Sequence, residues 1–250
     1  MRKEFYAEYF ELEDKHWWFV GRRRLLLKLL GRVFHPADSD APREILDVGC
    51  GTGTMLQHLS AYGNTTGADA DADAVYFCRR RGLENVLQLT DATLPFEPGT
   101  FDLVTMLDVL EHIDDDLGML GEVFRVLKPD GLVLATVPAY RFLWGPQDEI
   151  SLHKRRYRAK ELKARLEHAG FSLLKLSYFN TLLFPFIAAI RLGRKIVPGE
   201  TAELKSDFTL TKAGFLNQLL ASIFAWERHL ITRFDLPFGV SIVALARKKR

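Results

Sequence analysis

The residues best suited to bind a ligand lie at a junction between a short apolar strand and a helix. The junction spans residues 45–54 and has the sequence ILDVGCGTGT. Its glycines permit a tight turn and close approach of a ligand, and the N-terminus of the following helix offers free N–H groups. Thr54 stands where the dinucleotide fingerprint G-x-G-x-x-G has its third glycine, and no lysine follows as a P-loop requires. The turn therefore predicts a nucleoside ligand that makes no pyrophosphate contact.

A carboxylate at the end of the next strand supports this prediction. Asp69 directly follows the strand segment 65–68, and a carboxylate there can accept two hydrogen bonds from a ribose diol. Asp91 lies two residues after the third strand segment, 86–89. For both residues, the alternative is a surface turn carboxylate that binds no ligand.

The remaining residues that can do chemistry lie in the loop after the fifth strand. In open α/β sheets, ligands lie outside the carboxyl ends of the strands, so this loop should border a reaction centre. His153 is the natural base near neutral pH, and with Asp148 it can orient or deprotonate a hydroxyl group. Arg156 and Tyr157 can position an anionic group; alternatively, they only tie the loop to the fold.

Strand and helix signals alternate around these residues. The pattern predicts strands over 44–48, 65–68, 86–89, 101–106 and 132–137, and helices over 53–62, 72–81 and 116–127. A helix over 159–168 and strands over 171–179 and 239–246 follow. Such alternation indicates βαβ units and a parallel sheet, hence an α/β fold.

Two apolar helical regions flank this pattern. Residues 4–34 are expected to be helical and carry Trp17, Trp18 and an arginine triplet, 22–24. Between the last two strands, 181–237 has apolar residues at helical spacing. We expect this insertion to face the core or a second copy in a homodimer. The alternative is a lid that receives a lipid-linked acceptor or makes a peripheral contact with an anionic membrane.

The composition excludes several classes of function. With Lys+Arg 34 and Asp+Glu 32 the net charge is +2, too even to demand a nucleic-acid partner. Two cysteines, Cys50 and Cys78, exclude a disulfide scaffold and a multi-cysteine metal site, so we expect no metal. We expect no signal peptide and no membrane span, since no apolar run reaches roughly 18 residues. The expected location is the cytoplasm or the inner membrane surface.

Five segments, in order, resemble the motifs of class I S-adenosylmethionine-dependent methyltransferases. They are the glycine turn 45–54, Gly67-Ala68-Asp69, Thr90-Asp91-Ala92 with the following Leu94-Pro95-Phe96, the segment 101–113, and Leu127-Lys128-Pro129-Asp130-Gly131, where Asp130 replaces the commoner glycine. The resemblance implies a Rossmann-like, doubly wound α/β sheet of seven strands, mostly parallel with the last strand antiparallel. It also implies S-adenosylmethionine as cofactor and S-adenosylhomocysteine as product.

The resemblance further implies a role for each matching position. Asp47 and the turn backbone hold the methionine part, Asp69 the ribose hydroxyls and Asp91 the adenine amino group. Arg22 or Arg23 is expected to grip the cofactor carboxylate, and Arg22 is the one included in the cofactor set; a solvated arginine on a capping helix is the alternative. The complete cofactor set is Arg22, Asp47, Gly49, Cys50, Gly51, Gly53, Asp69, Ala70, Asp91, Ala92, Met106, Leu107 and Asp108. The final three are expected to line the floor beneath the sulfonium, and Cys50 is expected to be packed rather than nucleophilic.

The loop after the fifth strand resembles that of a subgroup of uncharacterised or glycan-associated methyltransferases, which have an aromatic loop and an H-x-R-R-Y segment. The expected catalytic residues are His153 and Asp148, and the substrate-binding residues are Trp18, His112, Tyr140, Trp144, Arg156 and Tyr157. For His112, a structural role or a place in the pocket wall is the simpler interpretation.

Together these features predict methyl transfer to an O, N or C atom of a small-molecule, glycan or lipid-linked acceptor. Catalysis would rest on aligning the acceptor with the methyl–sulfur bond. The alternatives are a nicotinamide-dependent oxidoreductase and a non-catalytic, membrane-associated scaffold. The expected domains are a cap over 1–43, a core over 44–180 and 238–250, and the insertion 181–237.

Overall fold

One mixed sheet forms the centre of the protein, and the computed structural model describes residues 4–35, 42–196 and 214–249. The strands are β1 (Glu44–Val48), β2 (Asn64–Asp69), β3 (Val86–Gln88), β4 (Phe101–Leu107), β5 (Leu127–Pro138), β6 (Phe171–Phe179) and β7 (Ser241–Lys248). They form a 7-stranded sheet in the order β3-β2-β1-β4-β5-β7-β6. The first five strands pair in parallel, and β7 is antiparallel to β5 and β6. The expected sheet, including its antiparallel last strand, is confirmed.

Helices cover both faces of this sheet. In the described ranges they are α1 (Glu4–Leu12), α2 (Trp17–Leu30), α3 (Thr54–Leu59), α4 (Ala72–Arg80), α5 (Asp116–Val126), α6 (Pro146–Ser151), α7 (Ala159–His168), α8 (Phe184–Ile196), α9 (Phe215–Trp226) and α10 (Arg228–Ile231). Short 3₁₀ turns lie at Leu110–His112 and Arg141–Leu143.

Alternate side chains of the central strands enter two separate cores. Leu46 and Val104 join the core beneath α5 and α7, whereas Ile45 and Leu103 join the core shared with α2 and α9. Because side chains alternate across a strand, β1 and β4 are buried on both faces, as parallel strands usually are. The carboxyl ends of β1, β2 and β4 consequently lie at one edge, where ligands can approach.

The fifth strand begins earlier than the sequence predicts. The turn signal at 128–131 placed the strand start at residue 132, but β5 begins at Leu127, which pairs with Phe101. The register with β4 shifts between Phe101 and Leu103, and Asp130 has a left-handed φ of +63°. The proline and glycine of this segment therefore produce an irregularity within the strand instead of a loop before it.

The N-terminal region forms two helices where one was expected. α1 ends at Leu12 and α2 begins at Trp17, so Glu13 lies in the break between them. The His16 imidazole caps α2 by accepting a hydrogen bond from the Trp18 backbone N–H at 3.3 Å. Burial lowers the pKa of His16 to about 4, which keeps the ring neutral and able to accept.

The cap and the insertion contact each other on one face of the sheet. A Cβ at Gly21 of α2 would lie 2.6 Å from Cδ1 of Phe224 in α9, so only glycine permits this approach. The Asn217 side chain accepts a hydrogen bond from Trp17 N and donates one to the Lys15 carbonyl, both at 2.8 Å. One face of α9 therefore packs inside the chain, in the way expected of a core-facing helix.

The insertion also exposes apolar side chains. Those on α8 and α9 are Phe186, Ile190, Leu192, Phe215, Leu216, Leu219 and Trp226. Within the described ranges, no helix has both the length and the apolar character needed to cross a membrane. Parts of the expected cap, core and insertion, namely residues 1–3, 36–41, 197–213 and 250, lie outside the described residues.

Candidate active site

The glycine turn after β1 forms one wall of the site. Gly49, Gly51 and Gly53 have left-handed φ angles of +69°, +56° and +87°. A Cβ on Gly49 would lie 2.5 Å from Val109 Cγ2, and one on Gly53 would lie 2.5 Å from Leu83 Cδ1. At Gly51, a Cβ would meet no atom within 4 Å, so the backbone there is open. The first and third glycines serve packing, whereas the second lets a ligand reach the backbone.

Asp69 lies at the end of β2, directly beside this turn. Its Oδ2 accepts a hydrogen bond from Gly51 N and its Oδ1 accepts one from Asp71 N, each at 2.9 Å. Burial raises the pKa of Asp69, partly offset by these two backbone hydrogen bonds. Both carboxylate oxygens are thus fixed in position, and each has a second lone pair for a ribose hydroxyl.

Arg22 of the cap joins α2 to the ends of β4 and β5. Its Nη2 lies 2.9 Å from Asp108 Oδ2 and donates to Thr136 Oγ1 at 2.8 Å. Asp108 has a left-handed φ of +60°, a strained backbone for a residue with a side chain. The Arg22 Nε is buried and has no protein partner. A buried unsatisfied donor in the cavity wall is costly, and a cofactor carboxylate fits it.

Asp47 is a buried carboxylate on β1 beside the glycine turn. Its Oδ1 accepts a hydrogen bond from Thr105 Oγ1 at 2.5 Å. Burial raises the pKa of Asp47 to about 7, even though the Thr105 hydrogen bond and the charge of Arg22 lower it. A cationic ligand group would therefore favour its ionised form.

Glu13 belongs to the same wall, and sequence reasoning missed it. Its side chain accepts hydrogen bonds from the hydroxyl groups of Thr52 and Thr54, and Arg81 Nη2 lies 3.5 Å from its Oε2. Burial raises the pKa of Glu13. The chain break after α1 brings this carboxylate to the turn, and no motif or periodicity in residues 4–16 indicates it.

The opposite wall carries His153 and the group that orients it. The His153 Nδ1 lies 2.8 Å from Asp148 Oδ1. Asp148 also accepts hydrogen bonds from Arg156 Nε and Nη2, at 2.7 and 2.9 Å, and from Gly145 N at 2.8 Å. Burial alone would raise the pKa of Asp148, but the hydrogen bonds from His153 and Arg156 outweigh it and hold the pKa well below its usual range. Asp148 is therefore an ionised support for the imidazole.

A second carboxyl group, Glu111, lies on the other side of the His153 ring. Its Oε1 is 3.8 Å from His153 Nε2, and neither of its carboxyl oxygens has a hydrogen-bond partner. Burial and the nearby Asp108 raise the pKa of Glu111 well above its usual range. Burial lowers the pKa of the adjoining His112 to about 4. One ligand atom each from Glu111, His112 and His153 lies within 4.8 Å of the others, so these three residues could also hold a metal ion.

These walls enclose a cavity of about 1320 Å³. The predicted site residues that line it are Trp18, Arg22, Asp47, Gly49, Cys50, Gly51, Asp69, Ala70, Asp91, Ala92, Leu107, Asp108, His112, His153 and Arg156. Apolar side chains of the insertion close the cavity on one side. They are Leu183, Phe186, Ile187, Ile190, Leu220 and Ile223.

Six predicted site residues do not line this cavity. Met106 lies in the core, because strand alternation turns it away from the face that carries Leu107. Gly53 packs under Leu83, and Asp148 lies behind His153. The remaining three are Tyr140, Trp144 and Tyr157.

Those three residues have other surroundings. Tyr157 is buried and donates to Asp116 Oδ2 at 2.7 Å, which ties the loop to α5 as the simpler alternative expects. Tyr140 and Trp144 instead line a second cavity that borders His153 and Arg156. Cys50 packs against Cys78 with their sulfurs 3.8 Å apart, so it has the packed surroundings expected for it.

Comparison with known proteins shows the family to which the chain is similar. A family model described as "Methyltransferase domain" matches residues 19–176. The ubiquinone biosynthesis O-methyltransferase of Vibrio cholerae is 26% identical over 214 residues, which cover 75% of this chain and 86% of the relative. The enzyme of the same name from Pectobacterium carotovorum is 29% identical over 136 residues, covering 50% of this chain and only 57% of the relative.

Solved structures with little sequence identity share the fold. A SAM-dependent methyltransferase from Thermotoga maritima aligns with a TM-score of 0.59 and 20% identity, covering 99% of this chain and 98% of its own. The chain bound to the Trm112 methyltransferase activator of Haloferax volcanii aligns with a TM-score of 0.64 and 18% identity, covering 99% and 97%.

The sheet order, the glycine turn and the acidic end of β2 define a Rossmann-like class I methyltransferase. This chain belongs to the methyltransferase domain family. The predicted enzyme class, a transferase that uses S-adenosylmethionine, is thereby confirmed, and the oxidoreductase and non-catalytic alternatives are set aside.

Proposed function

We propose that this methyltransferase transfers the methyl group to a hydroxyl oxygen of a small molecule, with His153 as the general base. The observation that carries this proposal is the contact of 2.8 Å between His153 Nδ1 and Asp148 Oδ1 in the cavity wall. The ionised Asp148 favours the tautomer that has its proton on Nδ1, which leaves Nε2 free to accept a proton. The relatives named ubiquinone biosynthesis O-methyltransferases support a hydroxyl acceptor.

The cofactor is proposed to lie along the wall formed by β1 and β2. S-adenosylmethionine, when bound, supplies a methyl group that is already activated by its sulfonium. Asp69 accepts hydrogen bonds from the ribose diol, and ionised Asp47 attracts the ammonium of the methionine part. Arg22 Nε donates to the carboxylate, which satisfies its buried donor. Asp91 and the Ala92 backbone, both in the cavity lining, would contact the adenine.

The acceptor is proposed to lie between this wall and His153. The acceptor oxygen would take the methyl group as its bond to the cofactor sulfur breaks, His153 Nε2 would take the hydroxyl proton, and Asp148 would stabilise the resulting imidazolium. The buried arginine Arg156 holds Asp148 in place through two hydrogen bonds. Trp18 and the insertion exclude water from the other side. The chain's own contribution is alignment, water exclusion and one proton transfer.

The insertion 181–237 is proposed to act as a lid on the acceptor side. Its helix α8 contributes Phe186 and Ile190 to the cavity wall, although these side chains are 70% and 56% exposed. Because these apolar side chains line the cavity and also reach the surface, they can contact an acceptor whose apolar part extends from the cavity toward the surface. Lipid-linked acceptors, contact with the inner membrane surface and a homodimer all stay predictions for this exposed face.

The proposal is tested by methyl transfer from labelled cofactor into a fractionated small-molecule extract. Labelled methyl ethers that form with the wild-type protein and are lost with the His153→Ala variant would support the proposal. Label only on nitrogen or carbon would contradict it.

A further inference from the structure

A second cavity adjoins the acceptor side, and the proposed reaction does not use it. Its volume is about 1220 Å³, and it lies between the loop after β5, the start of α7 and the end of α8. It is lined by Tyr140, Arg141, Phe142, Trp144, His153, Lys154, Arg155, Arg156, Arg158, Glu161 and Lys195. His153 and Arg156 line both cavities. A ligand group in the second cavity would therefore be adjacent to the proposed base.

The lining of this cavity is strongly cationic. Three of its cations are neutralised: Lys154 pairs with Asp114, Arg155 lies 3.2 Å from Asp116, and Arg156 is bound to Asp148. These pairs leave little charge for a ligand, and the Arg156 side chain, only 3% exposed, has its donors committed within the protein.

The other three cations are not neutralised. Arg141 and Arg158 are exposed, and within the described residues neither guanidinium has an ion pair or a hydrogen bond. Lys195 donates to the Phe142 carbonyl at 2.9 Å and forms no ion pair with the part of the chain that the structure describes. Glu161 is the acidic residue in the lining, and its carboxylate caps α7 by accepting from Arg158 N at 2.7 Å.

An aromatic wall faces these cations. Tyr140 stacks on Tyr178 with ring centroids 5.1 Å apart and an interplanar angle of 10°, and it also stacks on Phe142. The Tyr140 backbone has a left-handed φ of +53°. Such strain in a residue with a side chain persists only where the surroundings enforce it, and it clusters at binding sites. The wall is therefore held in a fixed, costly conformation in the lining of the second cavity.

We propose that the second cavity binds a phosphate or pyrophosphate group of the acceptor, so that the substrate is a phosphorylated amphiphile with its anionic group held by Arg141, Arg158 and Lys195. A doubly charged phosphoryl group matches several uncompensated cations better than a single carboxylate does, and guanidinium groups bind its oxygens in a bidentate manner. The apolar part of the acceptor then lies against α8, which borders both cavities. This inference rests on the proposed function for the identity of the reacting group, but not for the anion site itself.

The test compares two charge-matched double variants in calorimetric titrations with inorganic pyrophosphate, octyl phosphate and octanoate. Arg141→Gln/Arg158→Gln removes the unpaired guanidinium groups, whereas Arg24→Gln/Arg233→Gln removes two exposed arginines elsewhere. We expect the first variant to lose at least about tenfold in affinity for pyrophosphate and octyl phosphate, and the second to stay within about twofold. Octanoate should bind more weakly than octyl phosphate to the wild type.

Equal losses of affinity in both double variants, or no phosphate binding by the wild type, would overturn the anion site.

Vesicles of phosphatidylcholine with and without phosphatidic acid distinguish a lipid headgroup from a free phosphate compound. If the wild-type protein binds only the vesicles that contain phosphatidic acid, and the Arg141→Gln/Arg158→Gln variant does not bind them, the anionic group is a lipid headgroup. S-adenosylhomocysteine affinity should be unchanged in both variants. Failure of the proposed base would appear as methyl transfer that is insensitive to His153→Ala, whereas failure of this site would appear as wild-type protein that binds no pyrophosphate, so the two failures give different results.

Discussion

The two sides of the main cavity differ in how their charged groups are satisfied. On the cofactor side, Asp69 is fixed by two backbone N–H groups and Glu13 by two threonine hydroxyls. On the acceptor side, Glu111 is buried with both carboxyl oxygens unpartnered, next to His153. These two carboxylates of the cofactor side are thus held by fixed partners before a ligand binds, whereas Glu111 keeps two oxygens that a substrate can satisfy.

The largest effect is expected from removing the base on the acceptor side. His153→Ala should reduce labelled methyl transfer by about 10²- to 10⁴-fold, because proton transfer to Nε2 is lost, while S-adenosylhomocysteine affinity stays within about twofold. The exposed His168 of α7 gives a matched control, and His168→Ala should retain the wild-type rate. The wild-type rate should also persist in a metal chelator; its loss would make His153 a metal ligand instead of a base.

A smaller effect is expected on the cofactor side. Asp69→Ala should weaken S-adenosylhomocysteine binding by about 10- to 100-fold, because two charge-assisted hydrogen bonds to the ribose are lost. Titration calorimetry measures this directly, with Glu167→Ala on the exposed face of α7 as the control. Unchanged affinity in the Asp69 variant would remove the ribose assignment, and with it the contrast between the two sides.

The pH dependence of cofactor binding tests Asp47. Its pKa of about 7 in the free protein means that the carboxyl must lose a proton before it can pair with the methionine ammonium. The affinity for S-adenosylhomocysteine should therefore rise with pH below 7, approaching about tenfold per pH unit, and level off above 7. Asp47→Asn should show weaker binding with a flat profile from pH 6 to 8. A falling affinity over that range would contradict the assignment.

The smallest expected effect concerns the contact between the cap and the insertion. Gly21→Ala places a Cβ 2.6 Å from Phe224 Cδ1, and the strain should exceed the gain in helix propensity. The net loss should be about 1 kcal/mol, seen as a decrease in Tm of about 2–4 °C. Gly121→Ala in α5, where a Cβ meets no atom within 4 Å, is the control and should raise or keep the Tm. Equal Tm values for both variants would indicate that the cap and insertion do not depend on this contact.

Most residues that the sequence assigns to the cofactor line the main cavity, because they belong to local features of the chain. A glycine turn between a strand and a helix, and a carboxylate at the end of the next strand, are adjacent in the chain and appear as motifs. The sheet followed from the alternation of strands and helices, and its antiparallel last strand from the family resemblance. The break between α1 and α2 could not be predicted in this way, because Glu13 is positioned by tertiary contacts with Thr52, Thr54 and Arg81.

The acceptor side was harder to predict because it depends on side-chain direction across distant segments. The sequence predicts a joint role for His153 and Asp148, which the structure places in contact, but the contact of Arg156 with Asp148 emerges only from their distances. Glu111 was treated as part of a family motif, and its burial beside His153 had no sequence signal. Met106 was expected to line the cofactor site together with its neighbour Leu107. Alternation along β4 instead places the Met106 side chain in the core.

A crystal structure of the protein with S-adenosylhomocysteine tests the central claim most directly. We expect both ribose hydroxyls within hydrogen-bonding distance of Asp69, the carboxylate on Arg22 Nε, and the sulfur facing His153 Nε2 across a space for the acceptor. Two results would contradict the division of the cavity into a cofactor side and an acceptor side. One is a nucleoside bound against the insertion. The other is a His153 ring that is turned away from the sulfur because it binds, together with Glu111, a common ligand.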